Sequence, residues 1–255
     1  MARLSARPLP GIPEIHPGDD LAGAIAAAAG AGALRPGQLI AIAHTVVSKA
    51  EGALVSLSGV VPGPQALELA GEQGKDPRVL QVALDESAEI LRAERGILIS
   101  RTHHGFVCAN AGVDSSNASE ADQVVLLPAD PDASARSLRA RLAELAGLEP
   151  REGPAVMITD SFGRAWRQGQ TDVAIGLAGL AALDDWRGRS DARGLRLQAT
   201  WLAIADAAAG AADLVRAKDS AEPVVVIEGL ERFVVAADGP GARALLRPPE
   251  EDLFG

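Results

Sequence analysis

The chain has 255 residues, enough for a substantial core, and a formal net charge of −10, which opposes binding to nucleic acid or to an anionic membrane. Apolar residues make up 47% of the sequence but aromatic residues only 3%, so Ala, Val, Leu and Ile must build the core. The single cysteine, Cys108, excludes an internal disulfide and argues against a cysteine-based zinc site.

The N-terminal segment is predicted to be a loop followed by a helix. It carries two early arginines but not the apolar stretch of a signal peptide. No apolar run approaches the roughly 20 residues of a membrane span. We therefore expect a cytoplasmic protein. Asp19 and Asp20 precede the Ala-rich run 21–34, which is typical of a helix with an acidic start.

Residues 39–96 predict a buried strand and two helices. The continuous apolar run 39–43 indicates a strand covered on both faces. Residues 60–74 predict a turn and a short helix. Residues 75–96 predict a longer helix, because Asp76 can cap its start and Pro77 suits its first turn.

In the rest of the chain, predicted strands and helices continue to alternate. Residues 96–112 predict a β-hairpin, and residues 121–147 predict a strand, a Pro/Asp loop and an amphipathic helix. A buried strand opens the stretch 156–176. An Ala-rich helix is predicted for 197–218 and a final apolar strand for 223–230.

This order of elements predicts an α+β fold with mixed sheets and flanking helices, because the hairpin excludes a purely parallel sheet. We assign residues 1–245 to one domain, which could consist of two interlocked subdomains. The Pro-rich and acidic residues 246–255 are expected to be a tail or the stub of a linker. The sequence has no internal repeat.

Two polar stretches near the N-terminus are candidates for ligand binding. The Pro/Gly-punctuated loop 9–20 could present backbone groups to a flat ligand, although a plain N-terminal arm is the commoner use of such a sequence. Ser48 and Lys49 follow the strand 39–43, where α/β proteins collect ligands. Lys49 could provide a point charge for phosphate, and a solvated helix lysine is the alternative.

A third stretch, residues 108–119, concentrates hard oxygen donors directly after a predicted strand. Carboxylate, hydroxyl and amide oxygens are the ligands that Mg²⁺ and Mn²⁺ prefer. A turn rich in Asx and Ser is an equally good interpretation of the pattern alone. The donors are Asn110, Asp114, Ser115, Ser116 and Asn117.

A fourth stretch places Asp160 and Ser161 at the end of another apolar strand, with Arg164 and Arg167 close behind. Two strand-end aspartates in one acidic chain favour a divalent cation held by carboxylates and bridging an anion. The two arginines could then grip phosphate or carboxylate oxygens in bidentate fashion. A solvated polar surface is the alternative.

Other reactive side chains are better explained by structure than by chemistry. Neighbouring residues on a strand point to opposite faces, so His103 and His104 are expected at a hairpin tip and not on one metal. Cys108, in an apolar strand, is expected to be a core thiol. The three tryptophans are expected in the core, and Trp166 is the one that lies between the two arginines.

Six of these stretches, in this order and spacing, resemble the coenzyme F420-0:L-glutamate ligases, also called F420-0 gamma-glutamyl ligases. The resemblance covers about residues 8–250, and the combination of the third and fourth stretches is its most specific part. The matching segments are GIPEIHPGDDL, VVSKAEG, DPRVLQVALDES, HGFVCANAGVDSSNA, TDSFGRAWRQGQTDVAIG and PVVVIEG.

The resemblance implies a GTP-dependent ligase that adds L-glutamate to F420-0 or its dehydro form, and it allows further gamma-linked additions. It also implies the family's unusual mixed α+β fold, a homodimer, Mg²⁺ or Mn²⁺ (two per active site) and K⁺. The acceptor carboxylate would be activated as an acyl phosphate. A metal-dependent phosphohydrolase and a non-catalytic nucleotide- or F420-binding module are the alternatives. The chain could be a stand-alone enzyme or the first part of a fusion with a flavin-dependent domain.

The resemblance also implies roles for individual residues. Lys49, Arg164 and Arg167 would offset negative charge in the transition state. The metal ligands would be Asp114, Asp160 and Ser161. The nucleotide would be contacted by Ile12, Pro13, Glu14, Ile15, His44, Lys49, Asn117, Arg216, Ala217 and Lys218.

Two positions depart from the family's pattern. His44 stands where relatives often have a small hydroxylic residue. Arg216, Ala217 and Lys218 stand where many have a Met-Gly-Gln-like run that touches GTP and the second metal. A charged lysine cannot ligate a metal. Lys218 is therefore expected to contact phosphate instead.

Overall fold

A computed structural model describes residues 3–115, 122–217 and 219–252. The helices are α1 (Leu21–Ala29), α2 (His44–Glu51), α3 (Pro64–Gln73), α4 (Pro77–Asp85), α5 (Pro131–Leu145) and α6 (Ile204–Val215). The strands are β1 (Ser5–Pro8), β2 (Leu39–Ala43), β3 (Leu54–Ser56), β4 (Ser87–Glu94), β5 (Ile97–Thr102), β6 (Val107–Ala109), β7 (Gln123–Val125), β8 (Ala155–Arg164), β9 (Arg167–Ala178), β10 (Leu183–Asp185), β11 (Trp201–Ala203) and β12 (Val224–Glu228). Short 3-10 helices cover Leu57–Gly59, Asn110–Gly112, Glu231–Phe233, Gly241–Leu245 and Pro249–Glu251.

A mixed five-stranded sheet forms the centre of the molecule. Its strand order is β1-β12-β2-β8-β9. Strands β2 and β8 run parallel, with Leu39 opposite Ala155 and Ala43 opposite Thr159. The other neighbours are antiparallel. The carboxyl end of β2 therefore lies beside Thr159, where β8 continues past it toward Arg164, and open α/β sheets bind ligands beyond the carboxyl ends of their strands.

Both faces of this sheet are buried, as the apolar run 39–43 predicted. Ile40 and Ile42 point into a core formed with α1 and α5. Leu39 and Ala41 point the opposite way, into a core that includes the alanines of α6. The scarcity of aromatic side chains is accommodated because small Ala residues let α6 pack close to the strands. The prediction of mixed sheets flanked by helices is confirmed.

Three smaller sheets surround the central one, and one of them corrects a prediction. They pair β10 with β11, β3 with β7, and β4 with β5 and β6. The helix predicted over residues 75–96 stops at Asp85, and Ser87–Glu94 instead pairs with β5. The turn between them, Arg95 and Gly96, has φ of 54° and 78°, which matches the tight turns of two-residue β-hairpins. Strand pairing thus overrides the helix propensity of this Ala- and Glu-containing segment.

Two further expectations are corrected near the C-terminal half. The helix predicted over 197–218 begins only at Ile204, because Trp201–Ala203 forms a strand against β10. All three tryptophans, expected in the core, are at least partly exposed; Trp166 is 80% exposed and Trp201 48% exposed.

Within the described parts of the chain, no helix combines the length and apolar character needed to cross a membrane.

Candidate functional site

A cavity of about 590 Å³ opens at the carboxyl ends of β2 and β8. This volume lies within the range of small-molecule sites. Its wall combines five distant parts of the chain, and each contains residues that were singled out in the sequence. The lining residues include Ile12, Pro13, Glu14, Ile15, His44, Lys49, Asn110, Asp114, Asp160, Ser161, Arg216 and Ala217.

The N-terminal loop contributes one wall and is therefore more than an arm. Residues 12–15 line the cavity, and Ile15 is buried in the main core, which fixes the loop against the domain. The Lys49 ammonium group donates a hydrogen bond to Glu14 Oε1 at 2.6 Å. Lys49 is 8% exposed and lies on α2, so it is a buried cation at the cavity wall and not a solvated helix lysine.

Helix α2 begins at the cavity. Its N-cap is Ala43, whose methyl side chain cannot accept a hydrogen bond from the first turn. The first N–H groups of a helix have no acceptor within the helix, and the helix dipole makes this end attractive to anions. Ala43, His44, Thr45 and Val46 all line the cavity. The arrangement suits a bound phosphate or carboxylate group.

Asp160 lies on β8 at the base of the cavity, with a side chain 17% exposed. Its Oδ1 accepts a hydrogen bond from the Ser161 N–H at 2.7 Å and lies 3.4 Å from His44 Nε2. Burial raises the pKa of Asp160, and the carboxylates of Asp172 and Asp114 raise it further, against the opposing effects of His44 and Ser161. Three acidic groups therefore influence one another in this cavity.

The residues around Asp160 fit a hard divalent cation. Asp114, Asp160 and Ser161 present carboxylate and hydroxyl oxygens, which is the donor chemistry that Mg²⁺ and Mn²⁺ require. A cation would also relieve the repulsion that raises the pKa of Asp160. Among the described residues, no three His, Cys, Asp or Glu side chains are placed to hold a metal by themselves. Ligands from water or from a bound phosphate would have to complete the coordination.

Asp172 is a buried site residue that the sequence did not single out. It lies on β9, is 2% exposed, and pairs with Arg216. Its Oδ1 accepts a hydrogen bond from Ser161 Oγ at 2.6 Å, and its Oδ2 accepts one from Thr159 Oγ1 at 2.9 Å. The Ser161 hydroxyl thus donates a hydrogen bond to Asp172 from its position in the cavity wall. The available signal was one acidic residue directly before the apolar run 173–178.

Arg216 links this network to the far wall of the cavity. Its guanidinium donates to Thr159 Oγ1 at 2.8 Å and to the Pro223 carbonyl at 2.9 Å, besides pairing with Asp172. The side chain is 11% exposed. Arg216 therefore places a positive charge beside the acidic cluster and ties the end of α6 to β12.

Some predicted site residues lie elsewhere. Arg164 and Arg167 are exposed at the tip of the β8–β9 hairpin, beyond the cavity lining. Arg164 donates to the Gln168 carbonyl at 2.6 Å and so braces the tip. Their catalytic role stays a prediction. Asn117 and Lys218 lie outside the described residues.

The remaining candidates behave as the sequence suggested. His103 and His104 sit at the hairpin turn, and their Nε2 atoms lie 3.1 Å and 2.9 Å from the carbonyls of Asp85 and Pro128. Cys108 is 6% exposed, and burial, together with Asp160, raises the pKa of its thiol to about 12. A thiol with this pKa is not an effective nucleophile near neutral pH.

The fold and the cavity define a class: an α+β protein with a strand-end site in which carboxylates, a lysine and an arginine surround a space of small-molecule size. Comparison with known sequences is more specific. The pattern of the family F420-0:Gamma-glutamyl ligase matches residues 11–229. The chain belongs to this family, as the resemblance implied, and it is a ligase.

Curated relatives support the same conclusion over nearly the whole chain. The protein named Coenzyme F420:L-glutamate ligase of Methanopyrus kandleri is 46% identical over 253 residues, which is 98% of this chain and 97% of the relative. The protein of the same name from Methanothermobacter thermautotrophicus is 43% identical over 247 residues, 96% of each chain. That of Methanocaldococcus jannaschii is 43% identical over 222 residues, 87% of this chain and 86% of the relative.

Proposed function

We propose that the protein uses GTP to join L-glutamate to F420-0, or to its dehydro form, through an acyl-phosphate intermediate. The family's name supports F420-0 as the acceptor, and the names of the relatives support L-glutamate as the amino acid. The observation that carries the proposal is the convergence of residues 12–15, Lys49, Asp114 and Asp160, distant in sequence, on one cavity. Such a cavity can hold a nucleoside triphosphate with its phosphates between carboxylates and cations.

The positions of the cations support one arrangement of the nucleotide. The phosphates would lie at the open start of α2 and near Lys49, and residues 12–15 would contact the nucleotide beside them. Arg216 and Ala217 approach from the other side. Lys49 would exchange its contact with Glu14 for a phosphate oxygen when the nucleotide binds.

Asp114, Asp160 and Ser161 are proposed to hold Mg²⁺ or Mn²⁺, at two positions. When bound, such ions would offset the negative charge of the transferring phosphoryl group. Asp160 and Asp114 contribute the negative charge, and Ser161 contributes a hydroxyl oxygen whose proton is held by Asp172. Arg216 keeps Asp172 paired, so that this third carboxylate does not compete for the ion.

The proposed reaction proceeds in two displacements. A carboxylate oxygen of F420-0 forms a bond to the γ-phosphorus of GTP, and the bond from that phosphorus to the β-phosphate oxygen breaks, releasing GDP. The amine of L-glutamate then forms a bond to the acyl carbon, phosphate leaves, and the amine proton passes to a base. Lys49 and Arg216 stabilise the anionic groups in place, so the protein contributes position and electrostatics.

Several further features belong to the proposal. Further glutamates would be added through gamma linkages, K⁺ would assist, and the protein would act as a homodimer in the cytoplasm. Exposed apolar side chains on the small β4-β5-β6 sheet support an interface between copies. They are Ile90, Leu91, Ile97 and Val107, each between 37% and 49% exposed.

The test is mass spectrometry of F420-0 after incubation with GTP, Mn²⁺ and L-glutamate. We expect a product heavier by one glutamyl unit, which requires GTP and glutamate, and formation of GDP, which requires F420-0. GTP hydrolysis that ignores F420-0 and glutamate would indicate the phosphohydrolase instead. Binding of F420-0 or GTP without turnover under any of these conditions would indicate the non-catalytic module.

A further inference from the structure

The tip of the β8–β9 hairpin has a feature that the nucleotide site does not explain. Arg164 and Arg167 pair across the end of the hairpin, and the two residues between them, Ala165 and Trp166, make the turn. Trp166 is 80% exposed. A large aromatic side chain is therefore presented to solvent between two arginines.

Trp166 also occupies a backbone conformation that does not suit it. Its φ is 57°, in the left-handed region that turns normally fill with Gly or Asn. The left-handed conformation is unfavourable for a bulky L-residue. Folding alone would be better served by glycine at this position.

The tip adjoins the cavity. Gly163 and Gln170, which pair with each other, both line the cavity, and Trp166 lies three residues beyond Gly163. Three residues of strand extend about 10 Å at most. The indole ring is thus within reach of a ligand that protrudes from the cavity mouth. The hairpin is braced there by the hydrogen bond from Arg164 to the Gln168 carbonyl.

We infer that Trp166 stacks on the planar flavin-like ring of the acceptor, while the cavity holds the nucleotide and the reacting carboxylate. This inference rests on the proposed function, because that function supplies an acceptor with a flat aromatic ring. Aromatic rings stack face to face with an offset. With the nucleotide inside the cavity, the ring of the acceptor would lie outside it, against the exposed indole of Trp166. Arg164 and Arg167 add positive charge on either side of the stacked ring.

The direct test is equilibrium binding of F420-0, followed by the absorbance of its ring, so that turnover is not needed. We expect Trp166→Ala to weaken F420-0 binding by about three- to tenfold, the size of one aromatic stacking contact. Trp166→Phe should retain most of the affinity. Affinity for GTP should be unchanged in both variants. Trp201→Ala, which removes another exposed tryptophan remote from the cavity lining, is the matched control and should bind F420-0 as the wild type does.

Trp166→Gly separates the binding role from a structural one. Because glycine suits a φ of 57°, this variant should melt at the same temperature as the wild type or higher, and still bind F420-0 weakly. Equal F420-0 affinity in wild type and Trp166→Ala would overturn the inference, as would wild-type protein that fails to bind F420-0. A Trp166→Ala variant that changes its oligomeric mass and loses affinity for GTP and F420-0 equally would overturn it too, because Trp166 would then lie at an interface between copies. Wild type that binds F420-0 without forming product would contradict the proposed function, and weaker binding by Trp166→Ala would still support the stacking role.

Discussion

Replacement of Asp172 by Ala examines the buried network beside the proposed metal ligands. Asp172 is 2% exposed, and it holds the guanidinium of Arg216 and the hydroxyl groups of Thr159 and Ser161. Removing the carboxylate leaves the buried guanidinium without its counter-charge and removes the acceptor of the Ser161 Oγ hydrogen bond. We expect a loss of stability and, separately, a loss of metal-dependent activity.

The size of the stability loss depends on the hydrogen bonds that Arg216 retains in the variant. Breaking a buried ion pair by removing one partner costs about 3–5 kcal/mol. Arg216 retains its hydrogen bonds to Thr159 and to the Pro223 carbonyl, so the lower end applies, about 3 kcal/mol. For a domain of this size 1 kcal/mol corresponds to roughly 2–4 °C, which predicts a decrease of about 6–12 °C in Tm.

The assay is thermal unfolding, combined with glutamate addition measured well below the Tm of each variant. The double variant Asp172→Ala/Arg216→Met removes both charges and should be more stable than Asp172→Ala alone. Asp238→Ala is a matched control, because it also deprives a buried arginine, Arg139, of its carboxylate. It should lower Tm but leave activity intact. A Tm for Asp172→Ala within 1–2 °C of the wild type, or full glutamate addition by that variant, would refute the reasoning.

Three other predictions concern single side chains. Burial raises the pKa of Asp206, so the stability that this residue contributes is present at low pH and is lost as the pH rises through its folded-state pKa. Asp206→Asn keeps an acceptor for the Ala174 N–H and cannot ionise. This variant should therefore have a higher Tm than the wild type at pH 7, and the difference should shrink toward about pH 4. An equal difference in Tm at both pH values would contradict this. Cys108, with its thiol pKa raised to about 12, should resist alkylation at pH 8 in the folded protein and react after denaturation, and rapid labelling of native protein would be inconsistent with its burial. Lys49→Met should raise the KM for GTP about tenfold, because a phosphate contact is lost. The Tm should change little, since the partner Glu14 is solvent-exposed, and an unchanged KM would show that Lys49 does not contact the phosphates.

The parts of the fold that were predictable are those in which local sequence and tertiary packing agree. The run 39–43 is apolar at every position because both faces of β2 are covered, and its bounds match the structure. Asp20, Asp76 and Asp130 lie at helix N-caps, where their side chains accept backbone hydrogen bonds.

The errors arise where pairing between strands decides the structure. Ser87–Glu94 has helix-forming composition, and only its partner β5 makes it a strand. The tryptophans were expected inside because large aromatic side chains usually bury area, yet Trp186 and Trp201 instead lie against the guanidinium groups of Arg189 and Arg187. Such contacts depend on which loops become neighbours, and a sequence does not display that.

The candidate site shows the same division. Asp114 and Asp160 could be selected because each follows an apolar strand, and the structure lines one cavity with both. Asp172 could not, because a carboxylate within a strand gains meaning only from the arginine and hydroxyl groups that surround it. The start of α2 as an anion site depends on the direction in which the helix leaves β2, which only the fold determines.

The central claim is that Asp114 and Asp160 together hold the divalent cation on which the phosphates of GTP are positioned. The most direct measurement is titration of Mn²⁺, in the presence of a non-hydrolysable GTP analogue, into the wild type, Asp114→Ala and Asp160→Ala, with Tm recorded for each. We predict that both folded variants lose Mn²⁺ binding and glutamate addition. A folded variant of either kind that binds Mn²⁺ with wild-type affinity would contradict the claim.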